Sequence, residues 1–480
     1  MLLRTRLSHL LDTAPRDAPA LIADERRLTW ADLRRAGSEL DHSLTELGAG
    51  PGARVGVVLE NRTGPVTALL GLLASGRRPV IVDPLRPVAA QDATTPPLVI
   101  LATGTRCAAE IVLTIDDAGR PVPDLLPARR SAMTDGRSPA PPGSTIELTT
   151  SGTTGPPRRV TLSGEQLAAT LGRAQPAQRG PSRPPSLLAA PAAHISGLWT
   201  VLGAAHAGRA LVILPRFSAG PWAAAVHRHG VRVAFLVPAA LHAVLDAGTD
   251  PEALASLELV TTGAGACPPE LAARFQDRYG VRVLPTYGAT EFAGAVAGWT
   301  RKMHERWWPE KAGSCGRALG GTDLRTTSPD GAVLSPGAAG LLEVRGPRSG
   351  AGPQTWVRTT DLARIDADGF VWILGRADGA ILRGGFTVLP EDVERALERH
   401  PAVREAAVTG VPDERLGQVP MAAVVAEPGA EPPTVAALVA HCRRHLRAFE
   451  VPVRVLVVDD LPRTSASKVD HRALRAALTP

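Results

Sequence analysis

Two short apolar runs, "RVGVVLE" (54–60) and "RPVIVD" (78–83), flank "TGPVTALLGLLASG", whose apolar residues recur at helical spacing and which closes on a glycine. A helix between two buried strands returns the chain to the end it left, so the strands pair in parallel. The rhythm recurs in "RALVILP", "VRVAFLVP" and "LELVTTGAG". An α/β fold with largely parallel sheets follows. Residues 117–145 and 173–187, rich in Pro, Arg, Ser and Ala, read as surface loops. Near residue 375 the pattern changes. Glycines fall between short strands, then Pro390 with acids beside it starts a helix. A boundary is expected at residues 375–378, with about a hundred residues of α+β structure after it. This separates an N-terminal domain, 1–376, from a C-terminal one, 377–480.

A chain of 480 residues is long for one compact unit, and 44% hydrophobic content is ample for a core. The formal net charge of +6 is scattered rather than gathered into a basic block with stacking aromatics, which argues against nucleic acid. The four cysteines lie far apart without metal-ligand spacing, which suits a reducing cytoplasm. The N-terminus lacks the apolar core of a signal peptide, and no stretch is long and apolar enough for a membrane span. Lysine has almost vanished: Lys302, Lys311 and Lys468 remain among 53 basic residues.

"LTTSGTTGPPRRV" (148–160) follows the strand-like "STIEL". A strand that breaks into Ser, Thr and Gly aims backbone N–H groups and hydroxyls at one point, which suits an anion. Downstream, "TTGAGACPPEL" (261–271) offers a small-residue strand end for a flat base. "PTYGATEFAG" (285–294) supplies an aromatic face, a close backbone approach, a hydroxyl and a carboxylate. "GSCGRAL", "LLEVRGP", "TTDLARIDADGFVWILGRADGAI" and "LPRTSASKVDHRALR" follow in order.

In these motifs, and from "LTWADLRRAGSEL" to near its C-terminus, the chain resembles the adenylate-forming superfamily of acyl-CoA synthetases, carrier-protein adenylation domains and luciferases. The resemblance implies a large N-terminal domain of two β-sheet subdomains with helices plus a small β-barrel, and a mobile C-terminal lid. It implies ATP, Mg²⁺ and coenzyme A: a carboxylic acid attacks the α-phosphate, pyrophosphate leaves, and a thiol then displaces AMP. It assigns Thr150, Ser151, Gly152, Thr153, Thr154, Gly155 and Arg158 to the β- and γ-phosphates. Gly263, Ala264, Tyr287 and Gly288 would take adenine and Thr290 the α-phosphate. Glu291 would ligate Mg²⁺. Asp361 would bind the ribose hydroxyls, with Arg376 on the same nucleotide and Asp378 as the hinge. Gly384 and Gly385 would pass the pantetheine arm, and Lys468 would steady charge at the reacting phosphate.

Four positions depart from the family pattern. Arg158 replaces a lysine; Arg159, Thr360 and Ser467 replace glycines. Arg159 is expected to crowd the phosphate loop, and lost glycines matter where φ was positive. In "PAAHISGLW" (191–199), His194 and Trp199, with Gly263, are candidates for the acyl pocket; Trp307 and Trp308 close its end or cover a sheet edge. The leading expectation is a stand-alone acyl-CoA synthetase for an apolar acid, with no carrier-protein or condensation-type segment attached. The alternatives are loading of a separate carrier-protein thiol, an enzyme confined to thioester formation from a supplied acyl-adenylate, and a non-catalytic nucleotide- or acyl-binding regulator.

Overall fold

The computed structural model describes residues 3–84, 96–105, 109, 111–122, 144–150, 158–174, 183–383, 386–413, 415–464 and 467–479. Much of both expected loops, 123–143 and 175–182, lies outside these residues; their far ends are the strands Ser144–Thr150 and Ser186–Leu188.

A six-stranded sheet runs Ile111–Ile115, Leu98–Ala102, Arg54–Val58, Arg78–Val82, Ser144–Thr150 and Arg158–Ser163. Every pairing is parallel except the last, an antiparallel hairpin. Arg54–Val58 is buried at all its positions, as a parallel strand covered on both faces must be. The Thr63–Ala74 helix is buried almost throughout, which explains why it is apolar all round. The Trp30–Glu46 helix starts at a capping box in which Asp32 and Thr29 hold each other's backbone N–H groups.

A five-stranded sheet runs Val233–Leu236, Leu259–Thr262, Arg282–Ala289, Gly294–Gly298 and Arg317–Ala318. Its first two pairings are parallel and its last two antiparallel. Where a small barrel was expected, the strands Asp323–Thr327, Ala339–Arg345, Val357–Ile365 and Val371–Arg376 form an antiparallel meander. After Arg376 the chain makes one short turn, Ala377–Gly379, and enters a separate C-terminal sheet. That sheet has its own core, in which the Pro390–Glu398 and Val435–His445 helices contribute Val393, Leu397, Leu438 and Cys442.

The large parallel sheet contains a buried ion pair. Arg54 Nε and Nη2 donate to the Glu147 carboxylate at 3.0 and 2.8 Å, across the intervening Arg78–Val82 strand. Glu147 is 1% exposed. Removing one member of such a pair strands a desolvated charge, which costs about 3–5 kcal/mol. Glu147→Ala should therefore lower the unfolding free energy of the N-terminal domain, read from urea titration, by that order, whereas an unchanged value would show the pair to be energetically neutral.

Candidate active site

The site is built around a tight turn. The Arg282–Ala289 strand passes Tyr287 and Gly288, turns at Thr290–Phe292, and returns as Gly294–Gly298. A Cβ on Gly288 would lie 2.1 Å from the Gly294 carbonyl oxygen. Gly294 itself has φ +115°, and a Cβ there would lie 1.8 Å from Nε1 of Trp199. The two glycines in "YGATEFAG" are thus fixed by close contact with backbone and with an indole. Gln166 anchors the turn by donating to the Glu291 carbonyl at 3.2 Å and to the Arg348 carbonyl at 2.9 Å. The Glu291 carboxylate is exposed and makes no hydrogen bond or close ion pair among the described residues. One free carboxylate over a cleft fits Mg²⁺, which takes few protein oxygens beside phosphate and water.

Tyr287 Oη donates a short hydrogen bond to the Asp361 carboxylate. Burial first, and then the Asp361 charge, raise the Tyr287 pKa far above the ordinary phenol range, so it stays protonated. The meander pairs Asp361 with Arg376. Arg376 Nη2 reaches Thr360 Oγ1 at 2.9 Å, and its Nε and Nη2 hold Asp378 at 2.8 and 2.6 Å. That charge-assisted pair lowers the Asp378 pKa and raises that of Arg376. Asp378 is therefore tied to Arg376 in this arrangement. Gly263 closes on Thr286, whose Oγ1 would be 2.8 Å from a Cβ, and Ala264 takes the left-handed φ of +64°.

Thr150 and Arg158 are cross-strand partners, the last described pair of the Ser144–Thr150 and Arg158–Ser163 hairpin. Ser151, Gly152, Thr153, Thr154 and Gly155 between them lie outside the described residues, as do Gly384 and Gly385. Arg159 Nη1 lies 3.6 Å from Oε2 of the buried Glu147. Thr360 lies within an extended strand and needs no glycine conformation. Ser467 differs, because it adopts φ +59°.

Lys468 enters the cleft from the C-terminal domain. Desolvation lowers its pKa, as does the Arg376 charge, while Asp361 and Glu291 act in the opposite sense. All of them line one cavity of about 1980 Å³. Ion pairs Arg404–Asp246 at 2.9 Å and Arg274–Glu427 at 3.1 Å join the domains. Glu391 accepts the Arg376 N–H at 3.2 Å, tying the Pro390–Glu398 helix to the end of the meander.

In the same cavity, His194 occupies the N-cap position of the Ile195–Ala207 helix without a side-chain capping hydrogen bond, and Trp199 lies along that helix. His194 Nε2 is 3.8 Å from Asp83 Oδ2. Asn61 holds the preceding turn, accepting the Ala192 N–H at 2.7 Å and donating to Ala190 and Leu214 carbonyls. Trp307 and Trp308 lie outside the cavity, packing with Trp299 and Phe370 against the sheet. Sequence reasoning missed Gln166, Asn61, Asp83 and Glu391. Only Gln166 carried a local signal: Ser163-x-x-Gln166 is a capping box, with Ser163 N–H donating to Gln166 Oε1 at 2.9 Å.

Residues 11–352 match the family of AMP-binding enzymes, and residues 392–468 match the AMP-binding enzyme C-terminal domain. The chain belongs to this family. It is 31% identical to the sulfoacetate–CoA ligase of Cupriavidus necator, over 95% of this chain and 94% of that one. It is 38% identical to a probable 2-succinylbenzoate–CoA ligase of Mycobacterium tuberculosis, over 68% and 83%. The fold superimposes on the Bacillus subtilis O-succinylbenzoate coenzyme A synthetase in complex with ATP and magnesium ion, with a TM-score of 0.78, 25% identity, and 98% and 99% coverage. Among the described residues no helix is long and apolar enough to cross a membrane.

A serine at φ +59° bears a left-handed penalty of roughly 1 kcal/mol that glycine avoids. Ser467→Gly should raise the melting midpoint of the C-terminal domain slightly; a fall would mean the turn does not hold that conformation in solution. A second expectation concerns pH. Burial, with the nearby Glu405 and Glu270 charges, raises Glu398 from 4.5 to about 7, against a hydrogen bond from Ala406 N–H and the Arg395 charge. The folded chain thus keeps a proton that the unfolded chain has already lost, so stability is full below 4.5 and declines as pH rises through about 7. Glu398→Gln should show a smaller drop in melting midpoint than the native chain between about pH 5 and pH 8. Identical pH profiles would rule out this titration.

Proposed function

We propose that the protein is an ATP-dependent acid–thiol ligase that joins an apolar carboxylic acid to coenzyme A through an acyl-adenylate. The observation that carries this reading is one cleft shared by Lys468, Glu291, Arg376 and the Tyr287–Asp361 pair, with a roomy pocket behind it. A regulator that merely binds nucleotide has no need of a lysine brought into the cleft by a second domain.

In the first step a carboxylate oxygen bonds to the α-phosphorus and the bond to the bridging oxygen breaks, releasing pyrophosphate. Negative charge builds on the α-phosphate oxygens. Thr290 and Lys468 are the groups that would meet it, while Thr150 to Gly155 and Arg158 would hold the outgoing phosphates. Mg²⁺, bound through Glu291, would neutralise phosphate charge. Tyr287 would stack on adenine against Gly263, Ala264 and Gly288. Asp361 would accept from the ribose, because Tyr287 occupies only one of its oxygens. In the second step the thiol sulfur bonds to the acyl carbon and AMP leaves with the former carboxylate oxygen. Residues 377–480 would act as the lid, turning near Asp378 so that Gly384 and Gly385 replace Lys468 beside the site.

The alternative of an enzyme limited to the second step rested on Arg159 and the missing glycines. Arg159 has its own partner in Glu147, Thr360 is unstrained, and Ser467 retains the conformation glycine would have. These favour an intact first step. Coenzyme A is the preferred acceptor, as in the relatives named above; a carrier-protein thiol would present the same sulfur.

Incubation with ATP, Mg²⁺, coenzyme A and a panel of carboxylic acids should release AMP and pyrophosphate and yield acyl-CoA. No pyrophosphate from any acid, with acyl-CoA formed from synthetic acyl-AMP, would establish the second-step alternative. Lys468→Ala should slow adenylation by roughly 10²- to 10³-fold and leave thioester formation from acyl-AMP largely intact. Equal losses in both half-reactions would contradict the assigned role of the lysine.

A further inference from the structure

The Ile195–Ala207 helix turns one face to the cavity: Ser196, Trp199, Thr200, Gly203 and His206 all line it. These positions follow the helical repeat and form one stripe. From Trp199, beside the reacting end, to His206, the helix advances about 10 Å. The Trp199 indole is seated on Gly294, so that boundary of the pocket is set by contact with the strand that follows Glu291. Gly203 puts no side chain on the stripe.

The polarity along this wall is uneven. Thr200 Oγ1 donates to the Ser196 carbonyl at 3.2 Å, and Thr170 Oγ1, on the neighbouring Gly164–Ala174 helix, donates to the Gln166 carbonyl at 2.9 Å. Both hydroxyls are thus engaged with their own helices. His206 is different. Its Nδ1 is enclosed and has no hydrogen-bond partner among the described residues. Nε2 also has no protein partner there, but it is not enclosed. Burial and the Arg6 charge lower the imidazole pKa and favour the neutral ring. A neutral ring carries one N–H, and an enclosed nitrogen without an acceptor is the poorer place for it. Nε2 therefore carries the proton and offers an unused donor at the far end of the stripe.

Resting on the ligase reading above, we infer that the acid is an elongated one whose apolar tail lies along the Ile195–Ala207 helix. Near its far end it carries an oxygen acceptor that receives the Nε2–H of His206. Roughly eight chain carbons span the stretch from Trp199 to His206 at C–C spacings near 1.5 Å with their zigzag. A plain alkyl end at that point would leave the donor unpaired once water was expelled. His206 thereby acts as a specificity residue that touches the substrate tail and takes no part in the chemistry.

The test uses non-hydrolysable adenylates, acyl-sulfamoyl adenosines with unbranched chains of roughly eight to twelve carbons, each ending in methyl or in a terminal hydroxyl. Affinities are read by calorimetry on the full chain. At one chain length at least, the hydroxyl-ended analogue should bind roughly three- to tenfold more tightly than its methyl-ended twin. That preference should vanish in His206→Phe and persist in His206→Gln, which restores a donor. Equal binding of both twins at every length would overturn the inference, as would a preference unchanged in His206→Phe. If neither the analogues nor AMP bind the native chain, the ligase reading itself fails and the inference falls with it.

Discussion

The site depends on a contact between backbones that leaves no room for a side chain. Gly288 and Gly294 press two strands together around the Thr290–Phe292 turn. That approach sets the direction of Tyr287 on one side and Glu291 on the other. Gln166 then fastens the turn to a helix of the parallel-sheet domain, and Trp199 seats itself on Gly294 from a second helix. One short hairpin thus connects the Tyr287 side of the cavity to the Trp199 side. A methyl group at Gly288 would meet the Gly294 backbone and one at Gly294 the Trp199 indole, so the hairpin is sterically fixed on both sides.

Much of this was legible in the sequence where chemistry is local. The strand and helix rhythm of residues 54–83 gave the parallel sheet, because burial on both faces leaves an unbroken apolar run. The family motifs brought Tyr287, Glu291, Asp361, Arg376 and Lys468 into one cavity although they are far apart in the chain. Illegible were interactions whose partners are distant and carry no local pattern. Nothing near Tyr287 foretells that its hydroxyl binds Asp361, and nothing near Arg159 foretells that it pairs with Glu147. Ser467 stands between the two cases: the missing glycine was visible, but only the backbone dihedral gives its loss a magnitude. The tryptophan pair was misleading for the same reason, since Trp307 and Trp308 are equally plausible as pocket wall or sheet cover until the Trp299 and Phe370 rings are located beside them.

Ion pairs join the two domains. Arg404–Asp246 and Arg274–Glu427 bridge them, and Glu391, Glu394 and Glu398 form an acidic column facing the cavity, each with its pKa raised by burial. Contacts of this kind are directional and individually weak when partly exposed. Such an interface holds one orientation without committing the domains to it, which on the ligase reading would suit a lid that exchanges one active surface for another.

The environment of Lys468 has a further consequence. Burial and the Arg376 charge lower the Lys468 pKa against the pull of Asp361 and Glu291, so on balance the cleft by itself disfavours the charged ammonium. On the ligase reading, a polyphosphate reverses that balance, and nucleotide binding and lid closure strengthen each other by the same factor. The first chemical step then removes what held them together. Departing pyrophosphate carries most of the anionic charge out of the cleft, leaving an AMP ester that neutralises the two cations less well. The reaction thus loosens the lysine at the moment its work is complete, and the cycle acquires a direction from the charge of its own leaving group.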